Sequence, residues 1–391
     1  CTLMHLGPGM ANGIANFHNA ARAHSPIVSL IGDHATWLKP HDPPLNADVA
    51  SYAKPFSGWY RETMSPQMLA QDTADAVVAA SEAPGQIATL VIPSDHAWSP
   101  AGASLRPVID RQPAPVSGSV LSDVADAIKR AKHPVFYMNG SALREEGLRA
   151  VDRIVQATGG AVFAETHNPR VQRGAGRAPI RVIPYYPAIA IDMLKEADLL
   201  VMVETGPPGS FFAFPEIPAT FYPDGCELKT LAEPGEDSCA ALQELAETIA
   251  PSVTPRSVDL KIPDLPKGTL NIESVGQVIA HYLPENAIIS DESITSAYGA
   301  SVATATAQPH DFLQLTGGAL GQGMPVAIGA AVACPDRKVL CLSGDGSALY
   351  TIQSLWTMAR ENLEITVIVF ANRSYGALGL AYKQLGLGAV S

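Results

Sequence analysis

The sequence is poor in charged residues and carries no positive excess. Aspartate, glutamate, lysine and arginine make up 16% of its 391 residues, against about 25% in an average soluble protein. The apolar share is 47%, which is enough to bury sizeable cores and excludes a wholly disordered chain. The formal net charge of −12 argues against nucleic acid or an anionic membrane surface as the main partner.

The sequence also lacks paired cysteines and long apolar runs. Its five cysteines are scattered, odd in number and never spaced as C-x-x-C, so neither a disulfide framework nor a zinc ribbon is expected. No apolar run approaches the roughly 18 residues that a membrane-spanning helix needs. From these two absences we expect a cytoplasmic protein that is not embedded in a membrane.

What the sequence has is a repeated alternation of apolar strand-like runs with helical patterns, which is typical of doubly wound parallel sheets. Two proline-containing stretches, 99–118 and 251–270, are predicted linkers. They separate three predicted α/β domains, 1–98, 119–250 and 271–391. The sequence has no initiator Met, opens on a strand-like run and stops just after another predicted strand and turn, so we interpret it as part of a longer protein, incomplete at both ends.

The most specific motif is Gly344-Asp345-Gly346, which follows a predicted strand over 338–343 and precedes a predicted helix over 347–361. Ligands of open α/β sheets bind beyond the carboxyl ends of the strands, where this turn would lie. The glycines let the backbone approach a phosphate, and the aspartate beside it implies a bridging hard cation such as Mg2+. Asn372 follows the next predicted strand and would add an oxygen ligand at the same sheet edge.

Two alternatives compete for this motif. A lone G-D-G is most often an ordinary strand-to-helix turn, but the preceding strand and the later asparagine favour a ligand site. Haloacid-dehalogenase phosphatases also place G-D-G after a strand, yet they need an upstream D-x-D nucleophile, which this sequence lacks. The cation and phosphate site is therefore the prediction.

The G-D-G and asparagine pair resembles the thiamine-diphosphate and Mg2+ motif of the superfamily that includes acetolactate synthase, benzoylformate decarboxylase and pyruvate decarboxylase. Three further segments are similar to this family. They are the turn Gly7-Pro8-Gly9 with Asn12, a hydroxyl-bearing loop over 291–296 and a glycine-rich loop over 315–325. We predict that the first turn leads into a helix over about 10–23.

The resemblance implies which residues bind the metal and the cofactor. Asp345, Asn372 and the backbone oxygen of Ser374 would hold Mg2+. Arg373 stands where the family usually has a second asparagine, which is tolerable because only the first is a side-chain ligand. For Leu320, support of the bent cofactor and ordinary packing of a loop leucine are both open. The implied contacts of thiamine diphosphate are Thr295, Gly318, Leu320, Gly344, Gly346 and Ser347.

The resemblance also implies the reaction class. Thiamine-diphosphate enzymes of this type decarboxylate a small 2-oxo acid, and the product is either protonated to an aldehyde or joined to a second carbonyl. His34, in the segment 32–36 after the second predicted strand, is the candidate catalytic proton donor or orienting group. The alternative is an ordinary loop histidine.

Four arginines crowd one glycine-containing stretch of the middle series: Arg170, Arg173, Arg177 and Arg181. A solvated basic loop is the favoured interpretation. The alternative is a site for the diphosphate of FAD, which acetolactate synthases bind in this domain. No G-x-G-x-x-G follows a strand here, so the sequence leaves FAD uncertain.

The leading functional prediction is an acetolactate synthase-like carboligase. The alternatives are a 2-oxo acid decarboxylase of the benzoylformate decarboxylase type and a non-catalytic cofactor-binding homologue. The resemblance implies a homodimer or homotetramer, because the family's cofactor bridges two subunits. The family's activating glutamate lies upstream of the G-P-G turn, whereas the first glutamate here is Glu62. We therefore expect this chain alone to be inactive.

Overall fold

The computed structural model describes residues 1–109 and 112–386. Residues 110–111 of the predicted linker and 387–391 of the third predicted domain lie outside the described residues. The described strands are β1 Thr2–His5, β2 Ile27–Asp33, β3 Trp59–Glu62, β4 Ile87–Pro93, β5 Pro134–Met138, β6 Ala161–Ala164, β7 Val171–Arg173, β8 Arg181–Val182, β9 Leu199–Val203, β10 Glu227–Ala232, β11 Ala287–Glu292, β12 His310–Leu313, β13 Val339–Gly344 and β14 Ile365–Phe370.

Helices occupy most of the connections between these strands. The described α-helices are α1 Leu6–Arg22, α2 Val49–Ala53, α3 Leu69–Ser81, α4 Ser94–Trp98, α5 Gly118–Arg130, α6 Glu145–Thr158, α7 Pro187–Leu194, α8 Ser238–Ile249, α9 Ile272–Tyr282, α10 Ala297–Ala303, α11 Gly323–Ala333, α12 Asp345–Ala348, α13 Ser354–Arg360 and α14 Gly376–Gln384. Short 3-10 turns lie at Lys39–His41, Pro66–Met68, Gly140–Leu143, Ile294–Ser296 and Thr304–Thr306.

The chain divides into two compact units, Cys1–Ala114 with Thr316–Ala319, and Pro115–Leu315 with Leu320–Ser391. The first unit contains a parallel sheet with strand order β1-β2-β4-β3. Its strands send alternate side chains into two apolar layers. On β4, Ile87 and Val91 pack with α1, whereas Ala88 and Leu90 pack with α3.

The second unit contains two sheets. In the first of them, which we call the central sheet, the order is β10-β9-β5-β6-β8 and all strands are parallel. Phe136 and Met138 of β5 pack with α5, α6 and α8, while Val135 and Tyr137 pack on the other face with α7. Because helices cover both faces, this strand is an unbroken apolar run rather than an alternating one.

The other sheet of this unit, which we call the third sheet, has the order β14-β13-β11-β12-β7. Ala287 and Ile289 of β11 belong to the apolar cluster that also contains α6 and α8, whereas Ile288 faces α11. One continuous apolar cluster therefore joins the central and third sheets into one unit. The predicted α/β class with doubly wound parallel sheets is confirmed, and the three-domain division stays a prediction.

The structure adds one strand that was not predicted, and the bounds of two predicted helices are wrong. Strand β7 comes from the middle series and pairs antiparallel with β12, at the edge of the otherwise parallel third sheet. The predicted helix over 347–361 is two helices, α12 and α13, because the backbone between them makes turn bonds three residues apart, such as Ser354 N to the Thr351 carbonyl at 2.8 Å, in place of helical bonds four residues apart. Helix α1 begins at Leu6 and includes the G-P-G turn, because Pro8 lacks only a first-turn N–H that needs no helical partner.

Within the described residues, no helix is both long and apolar enough to span a membrane.

Candidate functional site

Three loops meet at the carboxyl-terminal edge of the third sheet because their strands end almost in register. The last residues of β11, β13 and β14 are paired within one residue of each other. The loops that follow carry Thr295, 345–347 and 372–374. Thr295 Oγ1 and Asn372 Nδ2 lie 3.2 and 3.5 Å from the point where a side-chain carbon on Gly376 would stand. The structure thus brings the predicted residues of all three loops to one edge.

Asp345 organises two of these loops through backbone amides. Its Oδ1 accepts from Gly346 N at 3.0 Å and its Oδ2 accepts from Arg373 N at 3.0 Å. Asn372 Oδ1 accepts from Ser374 N at 2.9 Å. Each of these oxygens keeps a second lone pair. The turn therefore orients a carboxylate and an amide oxygen without using up their capacity to bind a cation.

Two hydroxyls and two glycines complete this edge. Ser347 is buried and Thr295 is half-buried, and among the residues that the structure describes neither hydroxyl has a hydrogen-bond partner. A side-chain carbon on Gly344 would approach Ser347 Oγ to 3.4 Å, whereas one on Gly346 would point into open space. Open space at Gly346 leaves the backbone there accessible to a phosphate.

Sequence reasoning missed Glu292, the last residue of β11. Its buried carboxylate accepts from Gly321 N at 2.6 Å, Gln322 N at 3.2 Å and Gly323 N at 3.0 Å. Burial raises the pKa of Glu292, although the three amides act in the opposite direction. The glycine-rich loop is thus held by a carboxylate at the start of α11. The available signal was a glutamate placed directly at the end of an apolar strand.

The two other predicted cofactor residues, Gly318 and Leu320, lie in different units. Gly318 belongs to the first unit and has φ of +78°, a conformation that glycine adopts without cost. In that unit Asn19 Nδ2 donates to the Ala319 carbonyl at 2.7 Å and anchors the segment. Leu320 belongs to the second unit and is half-buried.

His34 lies in the first unit, directly after β2. Its ring Nε2 is buried and, within the described residues, has no hydrogen-bond partner. Next to it, Lys39 pairs with Asp33 at 2.5 Å and with Glu62 at 2.7 Å. Burial lowers the pKa of Lys39, but bonds and charge from both carboxylates outweigh it and raise that pKa overall. His34 therefore sits beside an ion-pair network with one ring nitrogen unused.

The prediction of a solvated arginine loop is wrong. Arg170 makes a two-pronged contact with the buried Asp311, at 2.8 and 3.1 Å. Arg173 is 8% exposed, donates to the Ser301 carbonyl and stacks over Phe312 at 5.2 Å. Burial lowers the pKa of Arg173 to about 10. The physical reason is that residues 171–173 form the edge strand of the third sheet instead of a free loop.

The remaining two arginines are also engaged by the protein. Arg177 pairs with Glu145 at the start of α6, and the Arg181 guanidinium lies 5.3 Å from the ring centre of Phe163. These two contacts hold the stretch against α6 and the central sheet.

The donor set at the third-sheet edge fits a hard cation bound to a diphosphate. Mg2+ prefers carboxylate, amide and carbonyl oxygens, which Asp345, Asn372 and the Ser374 backbone supply. The unpaired hydroxyls of Thr295 and Ser347 suit phosphate oxygens. Among the described residues, no group of three or more histidine, cysteine, aspartate or glutamate side chains could hold a metal ion. A cation here would therefore depend on one carboxylate and on the ligand's own oxygens.

Comparison with known proteins points to the same chemistry. The family model "Thiamine pyrophosphate enzyme, C-terminal TPP binding domain" matches residues 293–389, which include all three loops of this edge. The chain is 43% identical over 387 residues to IlvX of Mycobacterium tuberculosis, an acetolactate synthase large-subunit-like protein. That match covers 99% of this chain and 74% of the relative.

Two further relatives are decarboxylases. A benzoylformate decarboxylase of Pseudomonas aeruginosa is 29% identical over 408 residues, covering 96% of this chain and 74% of that protein. The structure of a thiamine diphosphate-dependent 4-hydroxybenzoylformate decarboxylase of Rhodococcus jostii RHA1 superposes with a TM-score of 0.83 at 22% identity. It covers 99% of this chain and 77% of the other. The last likeness concerns the fold alone.

Proposed function

The chain belongs to the family of thiamine-diphosphate-dependent enzymes, and from that premise we propose that it serves decarboxylation of a small 2-oxo acid with carboligation. In this proposal it binds thiamine diphosphate together with Mg2+, as the acetolactate synthases do. The 43% identity to an acetolactate synthase large-subunit-like protein over 99% of the chain favours carboligation over the alternatives.

The observation that carries the proposal is the convergence of three loops at one sheet edge. Asp345, Asn372 and the Ser374 backbone oxygen would hold Mg2+, and the Thr295 and Ser347 hydroxyls would bind the diphosphate. The Gly346 amide would join them by leaving its 3.0 Å bond to Asp345. When bound, thiamine diphosphate supplies a carbon nucleophile and an electron sink for the bond cleaved in the 2-oxo acid.

His34 is the residue that we assign to the substrate side. Its buried and unused Nε2 can hold a proton or orient an oxygen of the substrate, which is the task of a general acid or base. The bond from the His34 amide to Asp33 Oδ1 at 2.8 Å fixes the backbone from which the ring projects.

A decarboxylase is the second candidate, and the 29% identity to a benzoylformate decarboxylase favours it. Because this chain alone is expected to be inactive, the assay uses the full-length protein, and incubation with pyruvate, thiamine diphosphate and Mg2+ separates the reactions by product. Acetolactate or acetoin identifies carboligation, and acetaldehyde alone identifies simple decarboxylation. A full-length protein that binds the cofactor, has no glutamate upstream of the G-P-G turn and forms no product from 2-oxo acids would support the non-catalytic homologue.

The proposal includes a homodimer or homotetramer located in the cytoplasm, with no nucleic-acid or membrane partner. Sedimentation velocity with cofactor present tests the assembly. Only monomer at all concentrations would contradict it, and cell fractionation tests the location.

Calorimetric titration with thiamine diphosphate, with and without Mg2+, tests the site itself. Asp345→Ala should weaken Mg2+-dependent binding by about 10- to 100-fold, since a charge-assisted contact contributes ~1.5–3 kcal/mol. Asp336→Ala removes the same charge from an exposed turn before β13 and should leave affinity unchanged. If folded Asp345→Ala binds as tightly as the wild type, the metal site is wrong.

A further inference from the structure

The central sheet has a crevice of the kind that usually binds nucleotides. Its order β10-β9-β5-β6-β8 places β6 on one side of β5 and β9 on the other. The connections after β5 and β9 therefore run in opposite directions and leave a crevice between their carboxyl ends. In open α/β sheets this switch point is where ligand phosphates bind.

In this protein a side chain of the chain itself fills that crevice. Glu204 follows β9, and its Oε1 accepts from Ala142 N at 3.0 Å. The same oxygen accepts from the hydroxyls of Ser141 and Ser238, each at 2.5 Å. One amide and two hydroxyls from the loop after β5 and the start of α8 thus converge on one carboxylate. Backbone amides and serine hydroxyls are also donors from which phosphate oxygens accept hydrogen bonds.

The backbone around Glu204 is shaped to place the carboxylate there. Gly140 has φ of +59°, and a side-chain carbon on it would stand 2.0 Å from Glu204 Oε2. Glu204 itself has φ of +56°, which is unfavourable for any residue with a side chain. The hydrogen bonds to its carboxylate hold this conformation.

A second carboxylate lies at the same edge of the sheet. Glu165, which follows β6, accepts on Oε2 from Asn139 Nδ2 at 2.6 Å and from Thr205 Oγ1 at 2.7 Å. A diphosphate placed here would meet two carboxylates, and the groups that could donate hydrogen bonds to it already donate to those carboxylates. The crevice therefore does not fit FAD, the dinucleotide that the family resemblance allows in this domain.

We infer that Glu204 is an internal anion that takes the place of a ligand phosphate and closes the central sheet to FAD and other nucleotides. The inference concerns a different sheet edge from the proposed thiamine-diphosphate site and does not depend on it. It implies that the protein needs no flavin for folding or for its reaction.

The test measures nucleotide binding to the wild-type protein and to three variants. Visible absorption of the purified protein reports bound flavin, and equilibrium dialysis without Mg2+ measures FAD, ADP and inorganic phosphate. Glu204→Gly removes the carboxylate and suits the positive φ, whereas Glu204→Gln keeps the volume and removes the charge. Glu244→Ala, on the exposed face of α8, removes an equal charge elsewhere in the domain. Phosphate bound at the third-sheet edge is common to all four proteins and cancels in the comparison.

We expect wild type, Glu204→Gln and Glu244→Ala to bind neither FAD nor ADP. Glu204→Gly should bind ADP at least about tenfold more tightly than wild type, because three donors become free for phosphate oxygens. Flavin bound stoichiometrically to the wild type would overturn the inference, whether or not Glu204→Gly folds. A folded Glu204→Gly variant that binds ADP no more tightly than wild type would also overturn it, since the Glu204 carboxylate would then not be what closes the crevice.

Discussion

The carboxyl-terminal edges of the central and third sheets have the same architecture and opposite chemistry. At the third sheet, the Asp345 carboxylate accepts hydrogen bonds from two backbone amides, and the nearby Thr295 and Ser347 hydroxyls have no partner among the described residues. At the central sheet, Glu204 takes up the Ser141 and Ser238 hydroxyls.

The difference teaches that a parallel sheet offers a crevice but does not decide whether a ligand occupies it. Buried polar groups must be satisfied by some partner. Where the loops satisfy one another, as around Glu204, no ligand is needed. Where oxygens and hydroxyls remain available, as around Asp345, a cation and a diphosphate can satisfy them.

The largest effect on stability is expected from a change that loosens the junction between the middle series and the third sheet. Asp311 of β12 binds Arg170 from the middle series and Arg337 from the turn before β13. Asp311→Ala should lower the free energy of unfolding by about 2–4 kcal/mol, below the ~3–5 of a fully buried pair because Arg170 is partly solvated. Urea denaturation measures it, and a loss no larger than that of Asp336→Ala would contradict it.

The same junction predicts a pH dependence. Burial raises the pKa of Asp311, but Arg170 and Arg337 outweigh it, so that the pKa lies below its usual range. Its stabilisation is then present above the unfolded-state value of about 4 and is lost as the pH falls through the lower folded value. The stability gap between wild type and Asp311→Ala should therefore shrink in acid.

The next prediction compares how much Glu204 and Asp345, one at each sheet edge, contribute to the stability of the fold. Glu204→Ala should destabilise the fold by about 1–3 kcal/mol, because it leaves an amide and two hydroxyls without their acceptor. Asp345→Ala should change stability by less than about 0.5 kcal/mol, since its partners are solvent-accessible amides. Thermal and urea denaturation of both variants measure the difference, and equal losses would remove the distinction between a filled and an open edge.

A smaller effect is expected from Asn372, the uncharged side chain proposed to bind Mg2+ at the third-sheet edge. Asn372→Ala should weaken Mg2+-dependent binding of thiamine diphosphate by about 2- to 10-fold, the range of one neutral hydrogen bond of ~0.5–1.5 kcal/mol. Gln277→Ala removes an exposed amide from α9 and is the matched control. A loss as large as that of Asp345→Ala would show that charge is not what anchors the cation.

The smallest effect on cofactor affinity belongs to the first unit. In the full-length protein, His34→Ala should alter thiamine-diphosphate affinity by less than about twofold while changing turnover or the ratio of aldehyde to ligated product. His41→Ala, an exposed histidine of the same loop, should change neither. Unchanged turnover and products in His34→Ala would return His34 to the role of an ordinary loop histidine.

Much of the open edge is predictable because its information is local. The motif Gly344-Asp345-Gly346 follows an apolar run directly, and Asn372 follows the next one. Parallel strands must deliver both to the same edge. The membership of β7 in the third sheet is not local, since Val171–Arg173 pairs with a strand more than a hundred residues away. Arginine spacing alone could not distinguish an edge strand from a solvated loop.

The sequence by itself determined the α/β class, most of the alternation of strands with helices, and the family motifs, because periodicity and turn residues act over a few neighbouring positions. Only the tertiary structure decided which polar groups remain unused. Glu204 and Glu292 are single glutamates at the ends of apolar strands and look alike in the sequence. One fills a crevice and the other holds the glycine-rich loop, because the partners of each come from segments tens of residues away that meet only in the folded chain.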